Sequence, residues 1–168
     1  MWSSPLFWIV FAVALFWALG AYNRLMRLRS AVVQSFGGFD AHMLRLLALL
    51  GEFNATAPAH PETAALQGAA TQLGASLAVA RARPLQPDAV AALAAARGVL
   101  QLSWAGAARP LPDDAPTPWQ ARWDECALQN EQAVSVFNDA VAQYNAAIAQ
   151  FPANLLAWTF GFKAARGL

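Results

Sequence analysis

Charge is scarce in this chain. Only 12% of its 168 residues are Asp, Glu, Lys or Arg, about half the ~25% of an ordinary soluble domain. The eleven basic and ten acidic residues nearly cancel, leaving a net charge of +1. No basic tract forms, so there is no electrostatic footprint for nucleic acid. One cysteine, Cys126, excludes an intrachain disulfide and fits a reducing compartment. Two histidines, His42 and His60, make no standard zinc spacing with it. Glycine-rich phosphate loops and the Ser-x-x-Lys and His-Glu-x-x-His patterns are missing as well. Asp40 and His42 are two apart and point in different directions on a helix, while His42 and Arg45 are neighbours at i, i+3 on a solvated face. Cys126 has no nearby His or Lys to lower its pKa, so it reads as a filler at the core edge. The expectation is a protein that is not an enzyme and uses no metal or cofactor.

Apolar residues make up 58% of the chain. They concentrate first in Pro5–Tyr22, a stretch without charge or strongly polar side chains. As a helix it would span about 27 Å, close to the ~30 Å hydrocarbon core of a bilayer. Ser3 or Ser4 can cap it, and Pro5 suits its first turn. A signal peptide needs a basic leader that Met-Trp-Ser-Ser lacks, and a buried helix rarely lacks a polar face, so residues 1–22 read as a transmembrane anchor. Arg24, Arg27 and Arg29 follow directly. By the positive-inside rule they place the N-terminus outside and the body in the cytoplasm, a periplasmic body being the alternative.

The helix is expected to continue past the membrane. Tyr22, Leu25, Arg29, Val32, Phe36, Phe39, Met43, Leu46, Leu50 and Phe53 recur at steps of three and four, with no proline among them. Gly37 and Gly38 fall off this seam, where an exposed face tolerates them. Residues 54–61 read as a loop by composition. Pro61 and Pro87 then open two alanine-rich helices of about 20 residues, with Leu66, Leu73 and Leu77 on one and Val90, Leu93, Leu100 and Trp104 on the other. Small side chains bury little area, so this half should be the less stable. Residues 106–118 are a proline-rich connection.

The last helix starts at Thr117-Pro118. Its seam runs through Trp123, Val134, Phe137, Val141, Tyr144, Ile148 and Phe151, β-branched and aromatic in alternation from Val134 onward. Asn130 is the polar member that sets register. On the flank, Asp124, Glu131, Asn138 and Asn145 form a polar row at seven-residue steps. The row is expected either to pair with Arg24, Arg27 or Arg29 across the seam or to bind a partner. Metal binding there is disfavoured because residues seven apart lie about 10 Å apart. With short connections the helices alternate in direction, and the chain returns to the membrane surface. There Trp158, Phe160, Phe162 and Lys163 suit the headgroup layer; packing on the base of the bundle is the alternative.

Two segments resemble a known family. Tyr22-Asn23-Arg24-Leu25, followed by Arg27-Leu28-Arg29, looks like the start of the LemA family's domain. Phe137-Asn138-x-x-Val141-x-x-Tyr144-Asn145-x-x-Ile148-x-x-Phe151-Pro152-x-Asn154, then Phe160-Gly161-Phe162, resembles that family's C-terminal signature. Together they cover about a third of the chain. The resemblance implies a bacterial membrane protein with one N-terminal span and a helical body, without established enzymatic activity. One branch of the family is linked to building membrane organelles, and others occur beside membrane proteases. The chain departs from the family pattern at Phe36-Gly37-Gly38-Phe39-Asp40 and again at Leu47–Gly51, where the family has an acidic, proline-containing stretch. It looks like a divergent member.

The expected fold is therefore all-α: a single transmembrane helix continuing into an antiparallel bundle of two long and two short helices, with the anchor at 1–22, the bundle at 23–153 and an aromatic tail at 154–168. The expected role is a scaffold or interaction module at the bacterial inner membrane. Its partners would be the lipid bilayer and either another protein or further copies of itself. The alternative is an adaptor or sensor for a membrane machine such as an envelope protease.

Overall fold

The computed structural model describes residues 4–56, 61–108, 118–150 and 153–168. These residues are helical apart from short connections and the last few residues, and contain no strand. Five helices follow in order: α1 Pro5–Thr56, α2 Pro61–Ala82, α3 Pro87–Ala108, α4 Pro118–Ala149 and α5 Ala153–Phe160. Each of the first four begins on a proline. Its missing N–H belongs to a helix terminus where no intrahelical acceptor exists, and its φ is already helical. Glu62 and Asp88 sit in the first turns of α2 and α3, where a negative charge meets the positive end of the helix dipole.

α1 is one unbroken helix of 52 residues. The helix runs on to Thr56, past the loop start expected at residue 54, and the Thr56 hydroxyl donates to the carbonyls of Phe53 and Glu52; the rest of the expected loop, 57–60, lies outside the described residues. Gly37 and Gly38 lie within the helix, and an added Cβ at either would meet nothing. From Leu25 onward the expected seam is buried at Leu25, Val32, Phe36, Phe39, Met43, Leu46, Leu50 and Phe53, with Leu49 beside it. Among the described residues before 20 none is buried, and Leu6, Trp8, Ile9, Phe11 and Phe16 stand exposed.

The contacts define the directions of the helices. Phe53 meets Trp119 and Phe36 meets Phe137, so α1 and α4 run antiparallel. Asp40 pairs with Arg81, and Gly74 faces Leu47, so α2 returns along α1. Glu131 pairs with Arg97 and Trp123 stacks on Trp104, so α3 runs against α4. A tight turn with Gln86 N–H donating to the Arg83 carbonyl joins α2 to α3. The resulting bundle is closed at the end remote from residue 20 by four rings. Trp104 and Trp123 stack at 4.5 Å, and Phe53 meets Trp104 and Trp119 edge-on at 5.1 and 5.6 Å. Offset and edge-to-face ring pairs add about 0.5–1.5 kcal/mol each beyond their burial.

α4 ends earlier than expected, at Ala149, and the chain bends at Gln150. Of its expected seam, Trp123, Val134, Phe137, Val141 and Tyr144 are buried, Ile148 is half-buried, and Phe151 lies outside the described residues. The segment expected as a tail from residue 154 opens with the helix α5. That helix stops in a Schellman motif: Phe162 N–H donates to the Ala157 carbonyl, and Gly161 takes φ +74°. Glycine is required there because a Cβ disfavours that backbone region.

Candidate functional site

Two places gather the residues with functional potential: the foot of the bundle, where α1 emerges from it, and the polar row along α4. At the foot, Tyr22 is half-buried against Phe160 and Phe162, with ring centroids 5.4 and 6.2 Å away. Arg29 stands over the Phe162 ring at 5.9 Å. Arg24, Arg27 and Arg29 are exposed around this collar. The four aromatic and basic tail residues therefore divide. Phe162 faces inward on Tyr22, whereas Trp158 is 85% exposed, Phe160 61% exposed, and Lys163 exposed. Leu155, one turn before Trp158, is exposed as well. α5 thus presents an uncovered apolar face beside the exposed stretch of α1.

The polar row reaches different partners from Arg24, Arg27 and Arg29. Asp124 accepts from Gln120 on its own helix at 2.9 Å. Glu131 accepts from Arg97 of α3 at 3.0 Å, and that guanidinium also covers the Phe39 ring at 5.5 Å. Asn138 and Asn145 hold the segment after α5, which folds back along α4. Asn145 Nδ2 donates to the Ala165 carbonyl at 2.8 Å, and Ala165 N–H donates to Asn145 Oδ1 at 2.8 Å. Asn138 Nδ2 donates to the Leu168 backbone oxygen at 3.1 Å, and Leu168 N–H donates to Asn138 Oδ1 at 2.7 Å. Ala165 is buried, and Leu168 packs on the core. Periodicity marks the row, but Asn138 and Asn145 pair with backbone groups, which leave no trace in side-chain spacing.

Asn130 is buried on the α4 seam, 4% exposed, with Oδ1 lacking a protein donor. It lines a shallow pocket between α3 and α4 with Arg97, Gln101, Glu131 and Trp123. His42 Nδ1 and Trp104 Nε1 are likewise buried without a protein partner. Burial pushes the Cys126 thiol above its ordinary pKa, and the charge of Glu125 adds to the effect, so the thiol is a poor nucleophile near neutrality. Burial also raises the Tyr144 phenol, against an opposing effect of Arg29. Among the described residues no three His, Cys, Asp or Glu side chains stand close enough together to share a metal ion.

Among the described residues two helices, α1 and α3, are long and apolar enough to cross a membrane. They differ in context. The apolar window of α1 is wholly outside the bundle, whereas a third of that in α3 is buried and Arg97 within it pairs with Glu131. Comparison with protein-family models, with curated proteins and with solved structures gives no match to this chain.

Proposed function

We propose that this protein is a single-span, membrane-anchored helical scaffold of the bacterial inner membrane that works through protein contacts and without catalysis. The observation that carries this reading is the unburied N-terminal part of α1. Removing side chains such as Leu6, Ile9, Phe11 and Phe16 from water is worth about 1.5–3 kcal/mol each, and a bilayer is the surrounding that fits a helix apolar on every side. The exposed Leu155, Trp158 and Phe160 of α5 support it. They lie beside the end of that segment, at the depth where aromatic rings favour the headgroup layer. The sequence resemblance to the LemA family points the same way. The basic collar of Arg24, Arg27 and Arg29 favours a cytoplasmic body, with a periplasmic one as the alternative orientation.

The test is extraction and topology. The chain should remain with membranes through alkaline carbonate washing. A membrane-impermeant maleimide should reach Cys126 only after the cytoplasmic side is opened. Release by carbonate would remove the anchor, and labelling of intact cells from the periplasm would reverse the orientation. A scaffold should also form assemblies in detergent at raised concentration; a strict monomer would count against it.

The adaptor reading, expected to work through the polar row of α4, draws as well on the exposed apolar residues of α2 and α3. Val79, Val99 and Leu102 are exposed there, and residues 63–80 carry no charge. Co-purification of a second membrane protein that is lost on Leu102→Glu would favour it.

A further inference from the structure

We propose that Asn138 and Asn145 form a binding site for an extended peptide backbone, filled in this structure by the chain's own residues 161–168, and that the same segment of a second copy occupies it in trans. The inference deepens the scaffold reading and rests on it for the shared membrane plane of the copies.

The argument begins with geometry. Each asparagine exchanges two hydrogen bonds with one tail residue, donating to its backbone oxygen and accepting from its N–H. A neighbouring strand makes that pairing in an antiparallel sheet. Here two primary amides on a helix stand in for it. The spacing closes as well. Seven residues separate Asn138 from Asn145, about 10.5 Å along a helix. Three residues separate Ala165 from Leu168, one turn and about 9 Å of a polyproline II helix, and the inward positions of the tail, Phe162, Ala165 and Leu168, recur with that period of three. The two ladders therefore stay in step over both contacts, with the tail running antiparallel to α4. The order of pairing, 145 with 165 and 138 with 168, leaves no other direction.

What the site selects follows from its surroundings. All four hydrogen bonds go to backbone groups, so no particular side chain is read by them. Size is read instead. Ala165 is buried, and a Cβ on Gly167 would come within 2.6 Å of Asn138 Oδ1. Lys163, Ala164 and Arg166 point outward. The ligand is thus an extended segment with a small residue at the first clasp and glycine just before the second. Residues 161–168 meet that description, and every copy of the chain carries them. A segment that fits its own groove fits the identical groove of a neighbour, the basis of exchange between protomers. The exchanged segment leaves α5 at a single point, the glycine turn at Gly161, where its path to a neighbour would diverge. Copies anchored through one N-terminal segment would stand at the same height, bringing the foot of each level with the groove of the next.

Thiol crosslinking of full-length chains tests this. In a Cys126→Ser background one tagged copy receives Ala142→Cys, on the α4 face between the asparagines, and a differently tagged copy receives Arg166→Cys. Both are reconstituted into the same vesicles and treated with a short bis-maleimide. The expected product is a covalent heterodimer that falls at least tenfold when the acceptor copy also carries Asn138→Asp and Asn145→Asp. That pair keeps side-chain size while placing carboxylate oxygens against the backbone oxygens of the tail. Helix content is checked by circular dichroism, and Asn145→Asp alone serves if the double variant unfolds. Crosslinking only when both cysteines lie in one chain would overturn exchange in trans and leave a strap closed within each copy. A heterodimer insensitive to the asparagines would overturn the site while leaving the scaffold reading intact. Failure of the copies to associate at all would remove both.

Discussion

The two halves of the bundle have similar helical geometry and different side chains. α1 and α4 meet through Phe36 on Phe137 and Phe53 on Trp119, and Phe39, Trp123 and Tyr144 are buried on the same two helices. α2 and α3 meet through leucines and valine diluted by buried Ala69, Ala80, Ala89 and Ala96. A buried large side chain contributes about 1.5–3 kcal/mol, and the single methyl of alanine far less. The α1–α4 pair therefore holds the body together, while α2 and α3 are fastened to it. The contrast shows how one chain can divide its stability: a stiff strut continuous with the exposed apolar stretch of α1, and a lighter flank whose surface is free to differ. Sub-global opening should start in the flank, and hydrogen exchange should report faster amides in α2 and α3 than in the middle of α4.

Substitutions can break this contrast. The largest effect is expected from Phe137→Ala, which empties a fully buried site against Phe36 and should cost about 3–5 kcal/mol. Chemical denaturation in detergent measures it. Leu73→Ala, on α2, should cost nearer 2 kcal/mol because small neighbours let the site collapse. A larger loss at Leu73 than at Phe137 would invert the picture. In the other direction, Gly68→Ala and Gly98→Ala place a methyl in open space within α2 and α3. Each should stabilise by up to about 1 kcal/mol and slow exchange in the flank selectively.

The smallest effect concerns pH. Burial raises the folded-state pKa of Cys126, so its contribution to stability is constant below the ordinary thiol pKa, about 8.5. It declines as pH rises from there through the folded value. Maleimide labelling of the native protein should be slower than that of the denatured chain at pH 7. The difference should narrow as the pH is raised, and Cys126→Ser should remove the part of the loss that begins at about pH 8.5, leaving the part that the raised Tyr144 phenol adds above about pH 10.

Much of this architecture is legible in the sequence because proline and periodicity act locally. Pro5, Pro61, Pro87 and Pro118 each mark a first helical residue, and the three-four steps of Leu25 to Phe53 pick out the buried face of α1. The charge pairs were less accessible. Glu131 could have met any arginine, and only the packing of α3 against α4 brings Arg97 to it. The helix in residues 153–160 and the return of the chain after Gly161 were not visible either. An eight-residue helix is too short to show a period, and the asparagine clasps bind backbone, which every sequence has. The polar row was found, but its partners required the fold.

The unbroken course of α1 has a mechanical consequence. At 1.5 Å per residue its 52 residues make a rod of roughly 78 Å. No proline or glycine-rich joint separates the part outside the bundle from the part within it. A bilayer that tilts the outer part to match its own thickness would tilt the body by the same angle. Over the roughly 50 Å from Tyr22 to Thr56, a tilt of about 10° would carry the aromatic cap some 9 Å sideways. α1 would then act as a lever that turns lipid thickness into the position of a surface far from the membrane.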